Sequence, residues 1–364
     1  MKQSRTILAF CCFLLLLYGF FLGLDLMGIG FKLFGKGFAE MLLERTANPL
    51  VGLFVGILAT SLVQSSSTTT SMTVALVAAG GLTIEGAIPL IMGANIGTSV
   101  TNTLVSLGHV SRKLEFRRAF AGATLHDFFN WIAVLILLPI ELTTGVLAKS
   151  SRFLTEALEG AGGTTLFNPL RAIVRPVADY LKHALGESGA MVTGAGIILL
   201  IVSMKLIVDL LKTMMTERAE QILHGTIFRS NSAAILAGLG MTVMVQSSSI
   251  TTSLMVPLVG AGIITLQQFF PYTIGANIGT TVTAMLASLS TGSPAAVTVA
   301  FSHLLFNFAA SLIIYVPSPM RAIPLALARK MGELGSQNRL LAALYILVFF
   351  YGLPLLLLFA TGAL

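Results

Sequence analysis

The stretch QSSSTTTSM at residues 64–72 returns as QSSSITTSL at residues 246–254, with seven of nine letters identical. At the same offset, PLIMGANIGTSVT at residues 89–101 falls on PYTIGANIGTTVT at residues 271–283, with nine of thirteen identical. The spacing from the Gln to the Asn is therefore the same in both copies. Two motif pairs in one register indicate an internal duplication.

The composition around these motifs is that of a membrane protein. Of 364 residues, 55% are hydrophobic and 10% are charged, and the mean hydropathy is +0.90. Soluble domains carry about 25% charged residues, and disordered chains have low hydrophobicity. The net charge of +7 forms no basic stripe with interleaved aromatics, which argues against nucleic-acid binding. The adjacent Cys11 and Cys12 close no useful loop, which excludes a disulfide-stapled fold. We predict an all-α polytopic membrane protein.

Apolar segments and charged loops divide the chain into four parts. These are repeat unit 1 at 1–140, a short extracellular loop at 141–188, repeat unit 2 at 189–317, and a cytoplasmic basic loop with a C-terminal span at 318–364. The duplicated units themselves cover about 20–140 and 190–317. The first apolar run is too long for a signal peptide and has no cleavage site, so we predict a retained span with a cytoplasmic N-terminus.

Loop charges predict that the two copies have opposite orientations. The loop after the first GANIGT motif contains Arg112, Lys113, Arg117 and Arg118, whereas the equivalent loop 290–294 has no charge. The positive-inside rule then places the two loops on opposite sides of the membrane. We therefore predict two inverted-topology repeats, each with a re-entrant helical hairpin and broken helices, an architecture typical of secondary transporters.

Both QSSS motifs, with the Thr runs that follow them, lie in stretches without any Asp, Glu, Lys or Arg, at residues 46–84 and 230–320. Dense hydroxyls and carboxamides at membrane depth are costly unless something binds them. Helix N-termini at breaks suit an anion, and freed carbonyl, Ser, Thr and Asn oxygens suit Na⁺. The alternative is that these hydroxyls only form hydrogen bonds between transmembrane helices and bind no ion. The residues alone also fit sulfate or a carboxylate as the transported anion. They fit a channel of the same architecture as well.

An enzyme class provides a further alternative. Residues 186–189 read GESG, a pattern found in intramembrane serine proteases, with Ser188 as nucleophile and His303 as its base. The pattern is short, occurs by chance in a Gly-rich chain and is absent from the second copy. His126 and His303 precede Asn130 and Asn307 in HDFFN and HLLFN, and we interpret both histidines as helix-packing residues.

The paired QSSS motifs, the paired GANIGT motifs and EFRRAFAGATLHDFFNW at residues 115–131 resemble the type II sodium–phosphate cotransporters, solute carrier family 34. The resemblance implies a non-enzymatic protein of the plasma membrane that couples Na⁺ entry to uptake of inorganic phosphate by alternating access. It implies no cofactor beyond Na⁺ as coupling ion, and it is compatible with a homo-oligomer. The chain lacks the long tails and large outer loop of vertebrate members, so we expect a bacterial member.

Family positions and motif chemistry together give two sets of candidate ligands. The predicted phosphate ligands are Ser65, Ser66, Ser67, Ser247, Ser248, Ser249, Asn95 and Asn277. The predicted Na⁺ ligands are Gln64, Thr98, Asp127, Asn130, Gln246, Ser247, Thr280 and Thr283.

Asp127 is the carboxylate that breaks the duplication, because its counterpart is Leu304. An unpaired carboxylate inside a bilayer is costly, so we expect it to bind a cation or a proton. Asn130 lies at i+3 on the same helix face and can add a neutral oxygen. In the family that the chain resembles, the matching Asp and Asn belong to the Na⁺ site of electrogenic members. The resemblance therefore implies electrogenic transport.

Overall fold

The computed structural model describes residues 2–35, 37, 40, 43–44, 47–160, 169–215 and 227–363. All regular elements among them are helical. In chain order they are α1 (Lys2–Leu33), α2 (Pro49–Val63), α3 (Ser66–Ala79), α4 (Ile84–Gly97), α5 (Val100–Ser106), α6 (Lys113–Thr144), α7 (Val146–Gly160), α8 (Pro169–Ala184), α9 (Gly189–Met215), α10 (Asn231–Val245), α11 (Ser248–Ser253), α12 (Val256–Ala261), α13 (Leu266–Thr291), α14 (Pro294–Ala310), α15 (Ser318–Gln337), α16 (Arg339–Leu347) and α17 (Leu353–Ala360).

Several helices are long and apolar enough to cross a bilayer. Within the described ranges there are five, at Leu8–Leu33, Lys113–Thr144, Gly189–Ile207, Pro294–Tyr315 and Arg339–Ala360. The last span joins α16 and α17 through a π-helical turn at Val348–Gly352. Large apolar side chains such as Leu15, Leu356 and Phe359 are exposed on these helices. Exposed apolar surface on this scale is expected for lipid contact. The all-helical membrane fold predicted from composition is confirmed.

The duplication has the same local structure in both copies. The first consists of α2, α3 and the α4–α5 pair, and the second of α10, the α11–α12 pair and α13. We refer to α2 with α3 as the first hairpin and to α10 with α11–α12 as the second. A left-handed glycine follows each hairpin, Gly80 after α3 and Gly262 after α12. A threonine then caps the next helix, Thr83 before α4 and Thr265 before α13.

Glycines bring the first hairpin helix into backbone contact with the helix that carries the GANIGT motif. A Cβ on Gly56 would overlap the carbonyl oxygen of Leu90, and one on Gly93 would overlap that of Leu53. The second copy repeats both contacts, at Gly238 against Tyr272 and at Gly275 against Ile235. Only glycine permits this separation, so the motif helices are fixed relative to the QSSS turns.

The first helices of the two units also pack on each other. A Cβ on Gly23 of α1 would lie 2.9 Å from the carbonyl oxygen of Gly196 of α9. A Cβ on Gly196 would lie 2.8 Å from the carbonyl oxygen of Gly23. Helices α1 and α9 therefore touch through their backbones at these two glycines.

Two segments predicted as loops contain helices. Residues 141–188 hold α7 and α8, with 161–168 outside the described residues. The basic segment 318–339 holds α15, which buries Leu325, Ala328 and Gly332. Both segments are amphipathic, with apolar residues at helical spacing on one face. A search for continuous apolar runs does not detect this pattern. On which side of the membrane each segment lies stays a prediction.

Candidate functional site

Each QSSS motif forms a sharp break between two helices. Gln64 and Gln246 end α2 and α10, and both adopt the left-handed conformation with φ of 55°. Such a conformation costs a residue with a side chain about 1–3 kcal/mol and is concentrated at functional sites. Ser65 and Ser247 follow with extended backbone, and their hydroxyls accept hydrogen bonds from the amides of the next helix. The sequence pattern therefore creates two matching helix N-termini.

The two breaks meet each other. The Ser67 hydroxyl donates to the carbonyl oxygen of Gln246 at 3.1 Å, which joins the first motif to the second. The Ser249 hydroxyl donates to the carbonyl oxygen of Thr98 at 3.4 Å, which joins the second motif to the first GANIGT segment. Four serines of the predicted phosphate set are 2% exposed each: Ser66, Ser67, Ser248 and Ser249. Ser247 is also buried, and Ser65 is half-buried.

The predicted Na⁺ ligands of the second copy lie together. The Thr283 hydroxyl donates to Oε1 of Gln246 at 2.7 Å, and Nε2 of Gln246 donates to the carbonyl oxygen of Val243 at 2.5 Å. Thr280 donates to the carbonyl oxygen of Ala276 on its own helix, which leaves its oxygen free to accept. Gln246 and Thr283 are thus joined by a hydrogen bond, and Thr280 lies one turn before Thr283 on the same helix. Neutral oxygens of this kind are ligands that hard cations prefer.

The first copy departs from this arrangement. Gln64 is exposed, and its side chain has no hydrogen bond within the described part of the chain. Thr101, the counterpart of Thr283, has a buried hydroxyl without a partner among the described residues. Thr98 donates to the carbonyl oxygen of Ala94. The structure thus brings Thr98 close to the second motif but leaves Gln64 outside any hydrogen-bonded group.

Asn95 of the first GANIGT motif binds the second unit. Its Nδ2 donates to Oδ1 of Asn307 at 2.9 Å, and its Oδ1 lies 3.1 Å from Nε2 of His303. Because an amide oxygen only accepts, Nε2 of His303 carries the proton in this assignment. The amide is 2% exposed. Both of its polar atoms are therefore occupied by residues of α14.

Asn277 of the second motif makes the reciprocal contacts. Its Nδ2 donates to Oδ1 of Asn130 at 2.8 Å, and its Oδ1 lies 2.6 Å from Nε2 of His126. Each GANIGT asparagine thus binds the His and Asn of the opposite unit. Both asparagines were predicted as phosphate ligands, and here both side chains hold the units together. The helix-packing interpretation of His126 and His303 agrees with these contacts.

The exchange is symmetric at the side chains of Asn95 and Asn277 and at Nε2 of each histidine, but not elsewhere. Nδ2 of Asn130 also donates to the carbonyl oxygen of Asn95, whereas Nδ2 of Asn307 donates to the carbonyl oxygen of His303 on its own helix. The Nδ1 atoms of the two histidines differ as well. Nδ1 of His126 lies 3.2 Å from Nδ2 of Asn102, whose Oδ1 accepts from the Thr252 hydroxyl at 2.9 Å. The counterpart of Asn102 is Ala284. Within the part of the chain that the structure describes, Nδ1 of His303 is accordingly buried without a partner.

Asp127 is fully buried and accepts from two hydroxyls. Ser99 donates to its Oδ1 at 3.0 Å, and Tyr345 of α16 donates to its Oδ2. Asn130, its predicted co-ligand, instead binds Asn277 and donates to the carbonyl oxygen of Asn95 at 2.7 Å. The i+3 spacing keeps the two residues on one helix, but they do not share a partner. Tyr345 was not predicted, because a tyrosine in an apolar span outside the repeats has no distinguishing pattern.

The protease alternative has no support in the geometry. The Ser188 hydroxyl accepts from the amide of Met191 at 3.5 Å, at the beginning of α9. His303 binds Asn95 through Nε2, and its Nδ1 has no partner. The nucleophile and the base therefore form no hydrogen-bonded pair.

Fold and site together define a multi-pass helical membrane protein with two polar helix breaks that meet in its interior. A family model described as Na⁺/Pi-cotransporter matches residues 19–161 and 199–318. The chain belongs to this family, which is one of transport proteins rather than enzymes.

Named relatives support the same conclusion. The chain is 33% identical to sodium-dependent phosphate transport protein 2B of Homo sapiens over 93% of its own length and 63% of that protein. It is 33% identical to sodium-dependent phosphate transport protein 2A of Ovis aries over 97% of its own length and 68% of that protein. The chain thus spans about 63% of the length of the 2B relative. No solved structure matches the chain.

Proposed function

We propose that this chain is a secondary active transporter that couples inward movement of Na⁺ to uptake of inorganic phosphate. The observation that carries the proposal is the contact between the two QSSS breaks, where the Ser67 hydroxyl binds the Gln246 carbonyl. Two helix N-termini rich in hydroxyls meet at one buried place, and such termini suit an anion. Membership of the Na⁺/Pi-cotransporter family, with relatives named for sodium-dependent phosphate transport, supports the choice of ions.

The proposal includes a re-entrant hairpin in each repeat. Helix α2 has 15 residues and α3 has 14, whereas a spanning helix needs about 20. The end of the first hairpin, at Ala79, lines one cavity with Asp25 and Lys32 near the end of α1. A hairpin that enters the membrane and returns to the same side, where α1 ends, accounts for the short helices and for the shared cavity.

The proposal also includes inverted repeats. The cavity at the end of the first hairpin also contains Thr291, at the end of α13. The second hairpin ends at Gly262, which lies against Arg118 near the beginning of α6. The α4–α5 pair runs from the first hairpin to the loop before α6, so the two hairpins open toward opposite ends of that pair. The reciprocal Asn–His contacts support a two-fold relation between the units.

In this arrangement the serines donate hydroxyls and backbone amides to phosphate. The second-copy group of Gln246, Ser247, Thr280 and Thr283 holds Na⁺ beside it. Asp127 supplies the fixed negative charge that makes transport electrogenic. The basic loops lie in the cytoplasm with the N-terminus, and the protein lies in the plasma membrane of a bacterium. Asn95 and Asn277 hold the two units together beside the phosphate path.

The proposal is tested by uptake of radiolabelled phosphate into proteoliposomes with an inward Na⁺ gradient, with K⁺ replacing Na⁺ as the control. Accumulation above the external concentration, dependent on Na⁺, supports the proposal. Equilibration without accumulation identifies a channel, and competition by excess sulfate as strong as that by phosphate identifies another substrate. Ser188→Ala is the matched variant for the protease alternative, and it is expected to transport normally.

A further inference from the structure

A cavity of about 450 Å³ lies between α6, the beginning of α13 and α15. Its charged lining consists of Arg117, Arg118 and Arg329, with Thr265 and Gln267 beside them. It lies away from the QSSS breaks, at the end of the second hairpin. Neither the motif residues nor the Asn–His contacts extend into it.

Close helix packing holds the three arginines around this space. A Cβ on Gly332 of α15 would overlap the carbonyl oxygen of Arg117, so α15 and α6 touch through their backbones one turn from Arg329. The Arg118 guanidinium lies against Gly262, where a Cβ would be 2.6 Å from its Nη1. Gly262 has φ of +77°, so glycine is favoured there on two grounds. Arg118 therefore touches the residue that ends the second hairpin.

The positive charge of the cavity is only partly compensated. Arg117 forms an ion pair with Glu333 at 2.6 Å, and the nearby Glu115 pairs with Arg112 at 2.9 Å. Among the residues that the structure describes, Arg118 and Arg329 have no hydrogen bond or ion pair, and both side chains are exposed at the mouth of the cavity. The N-terminal end of α13 forms another wall, and its partial positive charge adds to theirs.

The cavity at the end of the first hairpin provides a contrast. Its arginine, Arg175, binds Asp25 at 3.2 Å and Asp179 at 3.2 Å. The fold therefore accommodates an arginine at a hairpin end with its charge compensated. The uncompensated pair in the second cavity is a separate feature of the chain.

We infer that the cavity of Arg117, Arg118 and Arg329 binds a phosphate group. Guanidinium groups bind phosphate oxygens in a bidentate manner, and arginine is the side chain best shaped for this ligand. The phosphate group has two available sources, free inorganic phosphate and the headgroup of an anionic phospholipid such as phosphatidylglycerol. The first source rests on the proposed function, whereas the second does not. In either case the bound group lies beside Gly262, the residue that ends the second hairpin.

Binding to the purified full chain in Na⁺-free buffer tests the inference. One arm measures equilibrium binding of radiolabelled phosphate to protein in phosphatidylcholine nanodiscs. The other measures, by native mass spectrometry, retention of added phosphatidylglycerol. The test variants are Arg118→Ala with Arg329→Ala, and Arg118→Lys with Arg329→Lys. Lys330→Ala is the matched control, because Lys330 is exposed like Arg329 and lies next to it on the same helix, but does not line the cavity.

The double alanine variant is expected to weaken binding of one probe about tenfold or more, and Lys330→Ala to change it by less than about twofold. Loss in the phosphate arm identifies the free ion, and loss in the lipid arm identifies the headgroup. The double lysine variant keeps the charge but loses the bidentate geometry, so it is expected to bind more weakly than the unmodified chain. It decides the test if the alanine variant does not elute as a folded protein.

Unchanged binding of both probes, or an equal loss in Lys330→Ala, overturns the inference. Neither arm uses Na⁺ or transport, so the proposed function can fail while this inference stands.

Discussion

The hydroxyl of Tyr345 donates to the carboxylate of Asp127, which ties the C-terminal span to an acidic residue whose counterpart in the second unit is Leu304. Ser99 donates to the other oxygen of the same carboxylate at 3.0 Å. A cation that binds Asp127 competes with these hydroxyls for the negative charge of the carboxylate. The C-terminal span, although outside both repeats, is thereby part of the candidate site.

Tyr345→Phe is expected to strengthen Na⁺ activation of phosphate uptake. The variant keeps the ring contacts with Phe120 and Phe349 but removes the donor that competes with Na⁺ for Asp127. A hydrogen bond is worth about 1 kcal/mol, so the Na⁺ concentration at half-maximal uptake is expected to fall roughly fivefold. Tyr351→Phe is the control, since its hydroxyl binds the Ser61 carbonyl instead. An unchanged or higher half-maximal Na⁺ concentration in Tyr345→Phe contradicts competition at Asp127.

Asp127→Gly is expected to take up phosphate but to lose the dependence of uptake on membrane potential. The substitution removes the fixed negative charge, and with it one Na⁺ per cycle, while the QSSS breaks stay intact. Uptake is measured in proteoliposomes at potentials set by K⁺ and valinomycin. Glu85→Gln, which removes an exposed acid paired with Arg152, is expected to keep the potential dependence. Undiminished dependence in Asp127→Gly, or none in the unmodified protein, shows that Asp127 is not the electrogenic ligand.

Much of the fold follows from the sequence because it depends on local patterns. The offset between the repeats places Gln64 and Gln246 at equivalent points, and both adopt the same left-handed turn. Glycine spacing within each unit fixes the helix contacts. Helices α7 and α15 were missed because they bury residues on one face only, and a search for membrane spans does not detect a one-sided pattern.

Contacts between distant segments could not be predicted in the same way. The exchange of Asn95 with His303, and of Asn277 with His126, depends on how the two units dock, which no local pattern specifies. The pairing of Asp127 with Asn130 rested on their i+3 spacing. Spacing places two residues on one helix face but does not determine their partners on other helices. The partner that α16 provides to Asp127 is the hydroxyl of Tyr345.

Gly93→Ala is expected to destabilise the protein by about 2 kcal/mol or more, because its Cβ would overlap the carbonyl oxygen of Leu53 and force α2 and α4 apart. Gly240→Ala is the control. It lies inside α10 with nothing within 4 Å of the added Cβ, so it is expected to be neutral or to stabilise by about 0.5–1 kcal/mol. Thermal unfolding in detergent measures both. Equal stability of the two variants contradicts the close packing of α2 on α4.

Phosphate affinity is expected to rise with Na⁺ concentration, and Na⁺ affinity to rise with phosphate by the same factor. The reason is that the QSSS breaks contain no Lys or Arg, so Na⁺ and helix N-termini must neutralise the anion. Calorimetric titration of each ion at several concentrations of the other measures the coupling. The Arg118→Ala, Arg329→Ala protein is used, so that the basic cavity does not contribute. Phosphate affinity that is independent of Na⁺ contradicts the account.

The most direct test of coupling through the paired motifs is phosphate uptake driven by a Na⁺ gradient. It compares Gln246→Leu and Thr280→Val with the unmodified chain and with Gln337→Leu, a control at an exposed position. Both site variants remove a neutral oxygen from the group that is expected to hold Na⁺ beside Ser247. We expect Na⁺-driven accumulation by the unmodified chain and by Gln337→Leu, and none by either site variant at equal protein in the membrane. Accumulation with normal Na⁺ dependence in either site variant, or no accumulation by the unmodified chain, would contradict this expectation.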